Sequence, residues 1–194
     1  MSVVQSICVY CGASSRVDET YKTVAHDFGA ELGRRRLQMV YGGGRVGLMG
    51  ICADAALAAG GRVVGIIPQH LQSLEVGHGG LTEFHVVDSM HSRKRMMVDR
   101  SDAFAVLPGG LGTLDETFEI LTWRQLRLHD KPVVLVNVGG YWDPLLALVD
   151  HMIAAGFAQP GHRGLFAVAD GVEAAFEALS RAPGESVPPE TKWM

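Results

Sequence analysis

A chain of 194 residues, 47% hydrophobic and 20% charged, has the profile of a globular protein of one domain, long enough to bury about 70% of the surface its unfolded form exposes. Its formal charge of −4 with His neutral argues against a nucleic-acid polymer as partner, because phosphate contacts need a basic surface. No run of about 18 apolar residues could span a membrane, no signal peptide is evident, and three cysteines, an odd number, point to reduced thiols, so a cytoplasmic location is expected.

In chain order, strands are expected at residues 6–11, 38–41, 63–67, 84–87, 103–107 and 132–137, with a weak seventh at 165–168. Helices are expected at 18–35, 47–59, 89–100, 113–127, 143–155 and 172–179. Short Val/Ile-rich strands alternating with helices predict an α/β fold: a doubly wound, mostly parallel, Rossmann-like sheet with helices on both faces. One domain would cover residues 1–181, and 182–194, with three prolines, would form a C-terminal tail. Cys8 and Cys11 form a C-x-x-C, but both fall in the first strand, where residues three apart point to opposite faces. Buried-strand thiols are therefore expected, not a redox pair. The longest break, 68–82, is rich in Gly and His and long enough to suggest a functional loop.

In such a sheet the site lies outside the carboxyl ends of the strands, at the topological switch point. Two glycine-rich loops occur there. After the second strand, Gly42, Gly43 and Gly44 lead to Gly47 at the start of a helix, and Gly42-x-Gly44-x-x-Gly47 has the form of a phosphate-binding turn. No acidic residue ends the next strand, which stops at Pro68, so dinucleotide binding is disfavoured; a plain strand-to-helix turn remains the alternative. After the fifth strand comes Gly109, Gly110, Leu111, Gly112, Thr113, Leu114, Asp115 and Glu116, which lacks the P-loop Lys but could cradle a monophosphate. Thr113-x-x-Glu116 also has the form of a capping box, with Thr113 as cap, and that role alone would account for both residues. Two such loops side by side would favour a ligand. A basic cluster, Arg93, Lys94 and Arg95, falls in the first half of the helix begun by Ser89, against the helix dipole. An anionic substrate would explain it; a solvated helix face is the alternative.

Together these segments resemble the Lonely Guy family of cytokinin-activating nucleotide phosphoribohydrolases, many of whose members are labelled lysine decarboxylase-like. The matching text is Tyr41 through Gly50, Met90-His91-x-Arg93-Lys94, and Pro108-Gly109-Gly110-x-Gly112-Thr113-x-x-Glu116, within a similarity running from about residue 6 to 180. The Cys11-Gly12-Ala13-Ser14-Ser15 turn and Glu75-x-x-His78 belong to it as well. The resemblance implies a homodimer that cleaves the N-glycosidic bond of adenosine 5′-monophosphate, N6-modified or plain, to free base and ribose 5-phosphate. It implies Arg93 and Glu116 as the catalytic pair. Lys94, Glu75, the 109–115 loop and Thr122 match substrate-contacting positions.

Glycoside cleavage builds positive charge on the sugar ring, so a carboxylate at Glu116 would stabilise that charge or activate water. Arg93 would orient the nucleotide with its bidentate guanidinium. The two glycine loops, with Ser14 or Thr113, would hold the 5′-phosphate, and Met90, Met97 and the 75–81 loop would line the base pocket. Neither a cofactor nor a metal is called for: the histidines form no ligand-spaced set. Pyridoxal phosphate needs a Schiff-base lysine, and of Lys22, Lys94, Lys131 and Lys192 only Lys94 falls near the expected site. His78 suits a substrate role or an exposed loop equally, and His91 suits a helix surface. Phe118, Leu121, Trp123 and Leu126 spread apolar surface around one helix, as a dimer interface or deep core packing would. The rival reading is a non-catalytic nucleotide or cofactor carrier on the same fold.

Overall fold

The computed structural model describes residues 4–72 and 77–180. Glu75 and the 182–194 tail lie outside the described residues. The elements are β1 (Ser6–Tyr10), α1 (Glu19–Arg34), β2 (Gln38–Tyr41), α2 (Gly47–Ala58), β3 (Arg62–Pro68), α3 (Gln69–Gln72), β4 (Glu83–Val87), α4 (Met90–Asp99), β5 (Ala103–Val106), α5 (Leu111–Gln125), β6 (Val133–Val136), α6 (Asp143–Ala154), β7 (Ala167–Ala169) and α7 (Val172–Leu179). Helix α3, a single turn inside the long break, carries no periodic apolar signal and was not expected.

The strands form one parallel sheet in the order β4-β3-β2-β1-β5-β6-β7. Both faces of the central strands are covered, which is why they are continuously apolar. One core layer packs α1, α2 and α7 on Ile7, Val9 and Cys11; the other packs α4, α5 and α6 on Cys8, Tyr10 and Phe104. Cys8 and Cys11 thus face opposite layers, as strand alternation requires. All three thiols are free and buried; burial raises the pKa of each, that of Cys52 to about 12.

Helix α1 starts where Asp18 accepts the Thr20 N–H, and α4 where Ser89 accepts the Ser92 N–H. Helix α2 is small and apolar nearly all round, so it can be enclosed. It approaches α1 closely because Gly29 and Gly33 present no side chain to Cys52, Ala56 and Ala59. No described helix is long and apolar enough to cross a membrane.

The chain runs outward from β1 to β4, then returns through α4 to β5 on the other side of β1. The switch point is therefore the gap between the carboxyl ends of β1 and β5. This corrects the expectation that the two glycine-rich loops lie side by side. Strand β1 stands between β2 and β5, so the neighbour of the 109–112 loop is the turn after β1.

Candidate active site

A cleft of about 440 Å³ opens at this switch point, within the usual range for small-molecule sites. Its floor is the turn after β1, Cys11 to Ser14, against Pro108, Gly109, Gly110 and Gly112 after β5. The Gly12 N–H donates to the Pro108 carbonyl at 3.0 Å, and the Leu48 N–H donates to the Gly12 carbonyl at 2.9 Å. These bonds tie the turns after β1 and β5 to the start of α2. Gly47, at φ +70°, is required here: a Cβ would run into the Ala13 backbone.

Helix α5 begins earlier than its sequence suggests. Its cap is Gly110 in extended conformation, and its first residue is Leu111. Thr113 is therefore the third helical residue and Glu116 the sixth, and the capping box does not form. A Cβ at Gly109 would overlap Thr113 Oγ1, so glycine there lets the helix close down on the loop. Thr117 Oγ1 donates to the Thr113 carbonyl at 2.6 Å, tightening the first turns. Relieved of a capping role, Glu116 lies 9% exposed on the cleft wall.

Arg93 reaches the same cleft from α4 and is only 5% exposed, not part of a solvated face. Its Nε donates to the Ile66 carbonyl at 3.2 Å, its Nη2 to the Gly42 carbonyl at 3.1 Å, and its Nη1 lies 3.6 Å from the Met90 sulfur. Burial, then the Glu116 charge, push the Cys8 thiol pKa up, while hydrogen bonds with Tyr10 and Ser101, and then the Arg93 charge, pull it back. Two opposite charges brought into a low-dielectric wall interact far more strongly than in water.

The cleft thus gathers Arg93, Glu116, Ser14, Gly109, Gly110, Gly112 and Thr113. Gly42, Gly43 and Gly44 do not line it, but the Gly42 carbonyl anchors the guanidinium of Arg93. Met90 touches Arg93 but is not on the wall, and Met97 is wholly buried in the core beneath α4. Lys94 is bound to Asp115 and Glu119, each at 3.1 Å. Burial opposes its charge, but the two carboxylates outweigh burial and hold its pKa above the usual value. Leu114 packs at the edge of the core; Leu111, 86% exposed, and Thr122 lie on the open side of α5. His91 is exposed, whereas His78 is buried against Asp54 and not an exposed loop residue.

Val17, Tyr21, Leu48, Met49 and Tyr141 complete the wall and were not foreseen. Tyr141 donates to the Gly109 carbonyl at 2.7 Å and meets Tyr21 edge to face, with centroids 5.3 Å apart. Its position just after β6 is the one available sequence signal, since residues following strands at the switch point form the site. Among the described residues no group of His, Cys, Asp and Glu could hold a metal.

The family model described as "Possible lysine decarboxylase" matches residues 49–179. The chain is 46% identical over 180 residues to the cytokinin riboside 5′-monophosphate phosphoribohydrolase of Rhodococcoides fascians, covering 92% of this chain and 90% of that protein. The chain belongs to this phosphoribohydrolase family. An Arabidopsis thaliana member is 46% identical over 170 residues, covering 86% of this chain and 75% of its own. The fold is shared with the molybdenum cofactor carrier protein of Chlamydomonas reinhardtii, with a TM-score of 0.68 at 21% identity, covering 90% of this chain and 94% of that one. The decarboxylase description does not suit the cleft. Schiff-base chemistry needs a neutral lysine amine, and no described lysine lines the wall. Lys22 pairs with Glu19, Lys94 is held as an ammonium, and Lys131 donates to the Val98 carbonyl.

Proposed function

We propose that this chain hydrolyses the N-glycosidic bond of adenosine 5′-monophosphate, plain or N6-modified, to free base and ribose 5-phosphate. The observation that carries the reading is the nearly buried Glu116 carboxylate on the wall of the same cleft that the anchored guanidinium of Arg93 lines. The names of the relatives support the same chemistry.

The backbone N–H groups at the start of α5 and the Thr113 and Ser14 hydroxyls suit a 5′-phosphate, because a helix N-terminus favours an anion. With the phosphate there, the ribose lies toward Glu116. Its carboxylate stabilises the positive charge that develops on the sugar ring, or takes the proton of an attacking water. Arg93 orients the nucleotide and balances charge as the bond breaks. Tyr21, Tyr141, Leu48 and Met49 offer apolar surface for the less polar part of the substrate. The protein works in the cytoplasm, as a homodimer whose contact surface includes the open face of α5.

The test is chromatographic detection of free base from adenosine 5′-monophosphate and from isopentenyladenosine 5′-monophosphate, with the Glu116→Gln protein alongside. Release by the parent and a loss of at least about 100-fold in the variant is the expected result. Tight nucleotide binding with no release by the parent points instead to a carrier.

A further inference from the structure

One buried polar pair, His78 with Asp54, takes no part in the chemistry above. His78 is 4% exposed, and its Nε2 lies 2.8 Å from Asp54 Oδ1 on α2. The Gly80 N–H donates to its Nδ1 at 3.2 Å. Nδ1 is therefore the acceptor, and Nε2 carries the proton and donates to the carboxylate. With both ring nitrogens used, the ring is held in one orientation, and so is its backbone. The His78 N–H donates to the Gly43 carbonyl at 3.1 Å, and Gly77 forms an antiparallel bridge with Gly44.

The adjoining carbonyl, that of Gly42, is the one that accepts Arg93 Nη2. Three consecutive glycines have no side chains to fix their torsions, and Gly43 sits at φ +77°, so this stretch needs an external clamp to keep one conformation. Asp54, the His78 ring, the His78 N–H, the Gly43 carbonyl, the Gly42 carbonyl and the Arg93 guanidinium form one continuous chain of contacts from α2 to the cleft.

We infer that His78, oriented by Asp54, is a positioning residue: it clamps the glycine stretch so that the Gly42 carbonyl stays aimed at Arg93. The inference rests on the proposed role of Arg93 in catalysis. Asp54→Ala is the gentlest probe, because the Asp54 side chain is 55% exposed in a helix that alanine favours. His78→Ala removes the ring, and His78→Gln keeps an amide N–H that can reach Asp54.

In both alanine variants kcat for base release from adenosine 5′-monophosphate falls about tenfold while KM changes less than about twofold, and His78→Gln recovers most of the loss. Thermal melts confirm that each variant is folded. The second readout is independent of turnover: solvent exchange of the Arg93 Nη2 protons, which donate to the Gly42 carbonyl, followed at their own nitrogen resonance by NMR. Exchange quickens in both alanine variants and stays near the parental rate in His78→Gln. Parental exchange in either alanine variant overturns the inference, as does a loss confined to KM. If the parent releases no base the proposed function fails, and the exchange measurement still decides whether the clamp exists.

Discussion

Glu116 and Arg93 differ from surface charges of the same type in what surrounds them. Each is nearly buried, and a charge taken from water must be compensated by partners or it destabilises the fold by several kcal/mol. For Arg93 two backbone carbonyls, of Ile66 and Gly42, supply part of that compensation and fix where the guanidinium points. Gly42→Ala tests this directly. A Cβ there would overlap Arg93 Nη2, and the flexible side chain, not the backbone, would give way. The expected outcome is base release by the folded protein reduced by about 100-fold together with a lower melting temperature, because the guanidinium proposed to orient the nucleotide is displaced by about an ångström and loses a compensating carbonyl. A drop in stability with unchanged turnover of the folded fraction would mean that Gly42 serves packing alone. The sequence named Arg93 and Glu116 but offered a helix cap and a solvated face as competing roles. Only burial and the true start of α5 removed them.

At the scale of elements, the site depends on how closely loops and helices approach one another, and glycine sets those distances. Helix α1 lies against α2 at Gly29, where an added Cβ would overlap the Cys52 carbonyl oxygen and sit 2.9 Å from its carbon. Alanine would gain up to about 1 kcal/mol in helix propensity. The overlap is with backbone that cannot rotate away, and overpacking of that kind costs about 1–3 kcal/mol. Overpacking wins, so Gly29→Ala should lower stability by about 1–2 kcal/mol in denaturant unfolding. A stabilised variant would show that the helices can separate freely. Helix and strand positions were legible because apolar periodicity is a local property: α7 coincides with its expected span, and α4 begins at Ser89, the cap its sequence offers. The start of α5 was not legible. Thr113 has the right chemistry for a cap, and only the extended Gly110 and the close contact at Gly109 moved the start to Leu111.

For the whole molecule, the open side of α5 and the turn beyond it expose Leu111, Phe118, Leu126 and Leu128, the first at 86% and the last at 68%. Exposed apolar side chains on one helix are a common mark of an interface between copies. Sedimentation equilibrium of the parent should give twice the 20.9 kDa chain mass, and Leu128→Glu should shift the species toward the monomer. A parent that sediments as a monomer would leave this face without that role.

The sequence by itself determined the α/β class, the parallel sheet and the family, because those follow from residue periodicity and from short motifs whose spacing is local. Tertiary structure alone decided which loops meet. Strand order put β1 between the two glycine-rich loops, turned the turn after β1 into the floor of the cleft, and made the Gly42 carbonyl an anchor for Arg93. It also brought in Tyr21 and Tyr141 from distant segments and paired His78 with Asp54. Contacts between residues far apart in the chain depend on the order in which strands pack, and no local pattern encodes that order.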